Sequence, residues 1–290
     1  MPPPAPPRQT LAVAALVAAA IAMGISPIFV RLADVGPNTS AFWRVALALP
    51  VLWAWMRVEG RAQTGRFTWP VVLAGLVFAG DLFFWHLSIT RTSIANATFF
   101  GTTAPVWVGL FGWLIFSRKV SVRTLAGLGL CLLGGAALVA QSLALDRAKV
   151  VGDLFGLCTA LFFGLYFLAV GQAREKVRAA QVTLEMSCDT AVVLLAVALA
   201  FERQFWPATL QGWLAVMGMA FISHAGGQGL LSVALGRLPP MFSSLVIFLE
   251  AIAAAIFGWL ILGEAVSLVQ GLGGLLILAG IYVARPAGET

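Results

Sequence analysis

The chain has 290 residues, of which 60% are hydrophobic and 10% charged, with a formal net charge of +6. Soluble globular proteins carry about 25% charged residues, and so little charge cannot cover a folded surface in water, so the solvent for most of this chain is lipid. The basic residues sit in short clusters between apolar runs, which is not a nucleic-acid signal but the pattern of a membrane protein fixing its orientation.

In chain order, breaks at charge clusters, Gly and Pro predict ten segments of the roughly 20 apolar residues that a spanning helix needs. The first, 10–32, follows PPPAPPRQT. It is long for the apolar core of a signal peptide and has no clear cleavage site before RLADVG, so it counts as a helix. The others are 40–57, 69–90, 94–116, 123–142, 151–173, 180–200, 210–235, 240–262 and 267–284. The runs are continuous, without the alternation of a lipid-facing strand, so the predicted fold class is all-α integral membrane. Cys131, Cys158 and Cys188 fall inside these runs at spacings that suit neither zinc nor a disulfide framework, and read as small core residues.

Orientation follows from Lys and Arg. With the amino terminus in the cytoplasm, the inner segments hold Arg8, Arg57, Arg61, Arg66, Arg118, Lys119, Arg123, Arg174, Lys176, Arg178, Arg237 and Arg285. The outer segments hold Arg31, Arg91, Arg147, Lys149 and Arg203. The excess places both termini in the cytoplasm.

The pentapeptide FGWLI occurs at Phe111–Ile115 and again at Phe257–Ile261. Sliding Val77–Val139 against Ser223–Arg285 without a gap superposes the two. It also sets Ala79–Gly80 on Ala225–Gly226, Arg91 on Arg237, Val120–Ser121 on Val266–Ser267, Gly127 on Gly273 and Gly134 on Gly280. The chain therefore reads as two five-helix repeats, 1–146 and 147–290. Because five is odd, the second copy enters the membrane from the opposite side, and the repeats are inverted. The loops agree. The first FGWLI is followed by FSRKVS on the cytoplasmic side, the second by LGEAVS, with Glu264 outside.

Two inverted halves around a midplane site can open to either side in turn, which is the logic of a secondary transporter. The sequence holds no Walker-type Gly-Lys-Ser/Thr stretch, no His-Glu-x-x-His and no Gly-x-Ser-x-Gly, so neither ATP coupling nor an enzyme is expected. A channel needs a filter or a ring of charge, and neither is evident.

The stretches LSITRTSIANATFFGTTAPVWVGLFGWLIFSRKVSVRTLAGLGLCLLGGAALV and LGRLPPMFSSLVIFLEAIAAAIFGWLILGEAVSLVQGLGGLLILAGIYV resemble the paired signatures of the drug/metabolite transporter superfamily, EamA type. AMGISPIFVRLA is also similar, with Met23 in a slot often held by Trp. The resemblance covers almost the whole chain and looks closest to the YddG branch, exporters of aromatic and other amino acids. It implies ten helices, cytoplasmic termini in the cell inner membrane, and a central cavity lined from both halves. Ala251 stands where the second-half motif often has Pro, although Pro105 keeps it in the first, so a proline-broken ninth helix is not carried over. Arg118 replaces the first-half Glu.

Ionisable residues deep in a membrane face a cavity or a partner. Glu250, near the middle of the ninth helix, reads as a proton carrier or counter-charge for a substrate ammonium, or else as a structural carboxylate bonded to a neighbouring helix. Its repeat mate is Ala104. His86 and His224 can titrate near neutral pH, and a packing role stands beside a proton relay for each. His224 aligns with Phe78. Asp81 does not share a helical face with His86 and is expected to cap or pack. Arg44, about one turn inside the second helix, is expected to snorkel to the interface. Gln228, after HAGG, is a cavity residue, as is Ser244 among the polar groups in apolar helices; others of these only join helices. Among the deep aromatics, Phe78, Trp107, Phe163, Tyr166 and Phe248 join Met23 as pocket residues for an apolar side chain. With one deep carboxylate and no deep Arg or Lys, binding is expected to be loose, as suits an exporter. The Gly-rich fifth and tenth helices allow tight contact, as a back wall of each half or a dimer face. A small-molecule substrate and membrane lipid are the expected partners; no cofactor, metal or nucleic acid is expected, and the oligomeric state is open.

Overall fold

The computed structural model describes residues 7–60, 67–140, 147–263 and 267–285; Arg61, Arg66 and Glu264, used above for orientation, lie outside the described residues. Among the described residues every regular element is a helix. Nine stretches there are long and apolar enough to cross a membrane: Gln9–Leu32, Pro37–Glu59, Trp69–Arg91, Ile94–Phe116, Val122–Val139, Lys149–Ala173, Ala179–Phe201, Leu210–Leu235 and Pro240–Ile261. The tenth, Leu268–Ala284, is apolar but shorter. These follow the predicted segments closely. The difference with most consequence is at the second span, which starts at Pro37 rather than at 40. Pro37 opens the helix after an extended Gly36, a position where its missing N–H costs nothing.

Several spans are interrupted near their middles. The second is divided at Leu47 and Ala48, just before Pro50. The fourth divides at Thr103 into Ile94–Thr102 and Ala104–Phe116, with Pro105 removing a backbone donor at the break. The ninth divides at Ile247 into Pro240–Val246 and Phe248–Leu262. No proline is needed there: the Glu250 N–H donates to the Ile247 carbonyl at 2.8 Å, tightening the turn. The centre of the eighth span, Met219–Gln228, is π-helical, a widening that recurs at functional sites.

The repeat is visible at helix ends. Ser121 and Ser267, matched in register, each cap a helix, accepting from the N–H groups of Thr124 and Gln270 at 3.1 and 3.3 Å. The residues after the two FGWLI helices, Ser117 and Gly263, both close their helices in the left-handed conformation, with φ of 51° and 69°.

The repeat is also visible in packing. The fifth and tenth spans lie against each other. A methyl group on Gly127 would sit 2.5 Å from the Gly280 carbonyl oxygen, and one on Gly134 would sit 2.5 Å from that of Gly273. Register matches Gly127 with Gly273 and Gly134 with Gly280, whereas contact joins Gly127 to Gly280 and Gly134 to Gly273. A two-fold axis between antiparallel helices requires this exchange. These glycines are therefore used within the chain, as a joint between its halves.

The second and seventh spans also pack together, each holding the other's start. Glu59, ending the second, accepts from the Ala180 N–H at 2.8 Å, and the Arg178 guanidinium donates to the Glu59 carbonyl. Glu202, after the seventh, accepts from the N–H groups of Asn38 and Thr39 at 2.7 and 3.0 Å. Carboxylates are favoured at helix N-termini because the unpaired N–H groups point outward there. Asp34 does the same for the eighth span, accepting from the Ala208 and Thr209 N–H groups at 3.1 and 2.7 Å and from the Thr209 hydroxyl at 2.7 Å.

Candidate functional site

Thr102 and Glu250, which flank the breaks in the fourth and ninth spans, face one cavity. Its other lining residues are Met23, Arg44, Asp81, Leu82, Trp85, Thr98, Gly101, Thr159, Phe163 and Gln228. Seven spans from both halves contribute. Its volume is about 30 Å³, enough for one or two waters, whereas small-molecule pockets run to about 300–1,000 Å³. The space between these polar groups is too small for a molecule larger than water as it stands.

Two lining residues are placed by equivalent glycines. A methyl group on Gly24 would meet Ala253 Cβ at 2.6 Å and the Glu250 carbonyl at 3.0 Å; one on Gly164 would meet Trp107 Cβ at 2.6 Å and the Ala104 carbonyl at 3.1 Å. Glu250 and Ala104 are register mates, as are Ala253 and Trp107. The first span thus crosses the ninth as the sixth crosses the fourth. The residues before these glycines, Met23 and Phe163, both reach the cavity. Trp107 stands at the crossing itself, with its ring 5.9 Å from that of Phe111.

The charged residues overturn the snorkelling expected of Arg44 and add a second deep carboxylate. Arg44, expected to snorkel, is 4% exposed. With the helix starting at Pro37 it lies two turns deep, about 10 Å from the end, with its guanidinium 5.3 Å from the Trp85 ring centroid. Asp81, expected to cap or pack, is 5% exposed, and Glu250 8%. All three face the cavity, so the site holds a deep arginine and two deep carboxylates, not a lone carboxylate. Among the described residues, ion pairing at 4.0 Å or closer is confined to Arg118 and Glu175 at the surface. Arg44 thus views both carboxylates across the cavity rather than in contact. Its Nε has no hydrogen-bond partner among the described residues, nor do the hydroxyls of Thr98 and Thr159.

Four of the expected site residues form one aromatic row that runs back from the lining residue Phe163. His224 lies 5.6 Å from Phe78, Phe78 4.8 Å from Tyr166, and Tyr166 5.7 Å from Phe163. The Tyr166 hydroxyl donates to Gln228 Oε1 at 3.0 Å, and the Gln228 amide donates to Met23 Sδ at 3.2 Å. Tyr166 therefore orients a lining amide without lining the cavity. His224 Nε2 is bonded to the Ser187 hydroxyl at 2.9 Å, and His86 Nδ1 to the Ser40 hydroxyl at 2.8 Å. Each histidine joins its own span to the preceding span of its half, and neither is in the lining. Ser244 is turned into its own helix, donating to the Met241 carbonyl at 2.9 Å. Phe248 packs with Cys131 and Ile277 between the ninth, fifth and tenth spans. Met23, Phe163, Gln228 and Glu250 are thus the expected site residues that line the cavity. Leu82, Trp85, Gly101 and Thr159 join them without having been singled out.

A family model described as the EamA-like transporter family matches residues 10–140 and again 150–285. A relative from Archaeoglobus fulgidus, named an uncharacterized transporter, is 27% identical over 276 residues, covering 93% of this chain and 95% of its own length. A second from the same organism, with the same name, is 24% identical over 268 residues, covering 88% of this chain and 91% of its own length. A solved crystal structure superposes with a TM-score of 0.77 at 18% identity over 96% of each chain, a likeness of fold. Matched by the family model through both halves, and folded into ten apolar helices, this multi-pass membrane protein belongs to the EamA-like transporter family.

Proposed function

We propose that the protein is a secondary transporter that exports amino acids, aromatic and other neutral ones, and related small metabolites across the cell inner membrane by alternating access, with both termini cytoplasmic. The cavity carries this reading. It lies between inverted halves, so rocking one half against the other turns it from one side to the other. Met23, Leu82, Trp85 and Phe163 suit an apolar side chain, and Arg44, Asp81, Gln228 and Glu250 suit a charged head group. Amino acids as cargo rest on the resemblance to the YddG branch, and the orientation rests on the distribution of Lys and Arg.

One observation favours a second cargo class. Two carboxylates face the cavity against one guanidinium, and that excess suits export of amphipathic drugs or organic cations. A passive facilitator or channel is the remaining alternative.

The test is flux of labelled phenylalanine in proteoliposomes, at matched and unmatched pH, with a Glu250→Gln variant alongside. Saturable flux with counterflow is expected from the wild type, and reduced flux from the variant under at least one gradient. Flux without counterflow or saturation refutes the carrier reading. Flux unchanged in the variant under every gradient refutes the part given to Glu250.

A further inference from the structure

We infer that Arg44 is the residue that recognises cargo by its carboxylate, and that Asp81 and Glu250 together hold the cargo's ammonium, so that the site selects zwitterions over organic cations. This deepens the amino-acid reading above and rests on it.

The three groups come from the second, third and ninth spans and face one small cavity, all more than nine-tenths buried. Charges brought so far from water require close partners, because desolvating each ion costs several kcal/mol. Arg44 has no such partner: neither carboxylate lies within 4.0 Å of it, and its Nε is unbonded among the described residues. Packing against Trp85 holds the guanidinium in place from one side but satisfies none of its N–H groups. An unpaired guanidinium is a planar fork of donors matched to a carboxylate. A site built for cations alone has no use for one, since it repels the cargo and weakens the field of the two carboxylates.

A zwitterion answers both ends. Its carboxylate meets Arg44, its ammonium meets Asp81 and Glu250, and its side chain is left to Met23, Leu82 and Phe163. A cation lacking the carboxylate leaves Arg44 unpaired. An anion lacking the ammonium leaves both carboxylates unpaired.

The experiment compares three probes that share a side chain: L-phenylalanine, phenethylamine, which lacks the carboxylate, and 3-phenylpropionate, which lacks the ammonium. Each is tested against purified wild type, Arg44→Gln and Arg44→Lys, by ligand-induced thermal stabilisation in detergent and by counterflow in proteoliposomes. In the wild type, phenylalanine is expected to bind at least about tenfold more tightly than either analogue, the effect of leaving a charged hydrogen-bond partner unmet. In Arg44→Gln the preference for phenylalanine over phenethylamine collapses. Arg44→Lys keeps the charge, so it guards against a loss that comes only from misfolding. It is expected to bind phenylalanine more weakly while keeping the order of the three probes. Wild type that binds phenethylamine as well as phenylalanine overturns both the inference and the amino-acid reading. Wild type that prefers phenylalanine while Arg44→Gln keeps that preference overturns the inference alone.

Discussion

Replacing Gly134 with Ala puts a methyl group where the fifth and tenth spans touch through backbone. The added carbon would lie 2.5 Å from the Gly273 carbonyl oxygen and 2.9 Å from the Ile277 nitrogen. Ordinary contact begins at 3.4 Å, so the helices must separate by roughly 1 Å at the crossing, because backbone atoms cannot rotate aside as a side chain can. Overpacking of this kind costs about 1–3 kcal/mol, and contact with backbone belongs in the upper part of that range. Ala recovers up to about 1 kcal/mol over Gly in a helix, leaving a net loss of about 1–2 kcal/mol. Gly129, in the same helix, supplies the control: a methyl group there meets nothing within 4 Å, so Gly129→Ala keeps only the gain. Thermal unfolding of the purified protein in one detergent is expected to separate the two variants, with Gly134→Ala below wild type and Gly129→Ala at or above it. Equal shifts for the two would refute the reasoning, since helix propensity alone would then account for both. Gly127→Ala and Gly280→Ala, which meet at the equivalent crossing, are expected to cost less together than the sum of their separate costs.

Three further outcomes follow from the geometry. Ser117→Gly is expected to raise stability by about 1 kcal/mol, because a side chain in the left-handed region pays a steric cost that Gly avoids and its mate Gly263 already avoids; an unfolding temperature at or below that of wild type counts against this. Tyr166→Phe leaves buried Gln228 Oε1 without its donor and is expected to cost about 1–3 kcal/mol, with Tyr166→Phe/Gln228→Leu costing less than the single change; equal losses in the two would refute that pairing. The Thr209 hydroxyl, with the Thr209 and Ala208 N–H groups, holds the Asp34 carboxyl below its ordinary value of 3.8. A depressed value in the folded state stabilises the fold fully above the unfolded value, and the stabilisation is lost as pH falls through the lowered one. Asp34→Asn is therefore expected to lower stability at neutral pH and to narrow its gap to wild type as pH falls below about 4, measured by thermal unfolding across that range.

The spans were legible because the bilayer leaves a chain few choices: about 20 apolar residues per helix and charge at the ends. The inversion was legible because register survived at glycines, and those glycines prove to be contact points whose size is fixed by a neighbouring backbone. For Arg44 a small shift in the start of the helix has a large effect. Starting the second span at 40 rather than Pro37 puts Arg44 one turn from the end instead of two, and turns a buried guanidinium into a snorkelling one. The sequence did hold the signal, since Pro is over-represented at the first position of a helix. Asp81 does not share a face with His86 on its own helix, whereas the groups it faces belong to the second and ninth spans. The serines that hold His86 and His224 were likewise invisible, because periodicity along one helix does not report which side chain of another lies opposite. The break at Ile247 carries no proline or glycine to announce it.

The exchange of end caps between the second and seventh spans bears on leakage. Glu59 grips its partner at one face of the bundle and Glu202 at the other. Under the alternating-access reading proposed above, parting these two spans at one face would break one clasp and spare the other, at about 1.5–3 kcal/mol per charged hydrogen bond. A conformer parted at both faces would forfeit the two at once, so the antiparallel pairing of two helices would penalise a continuous pore twice where each one-sided opening is penalised once.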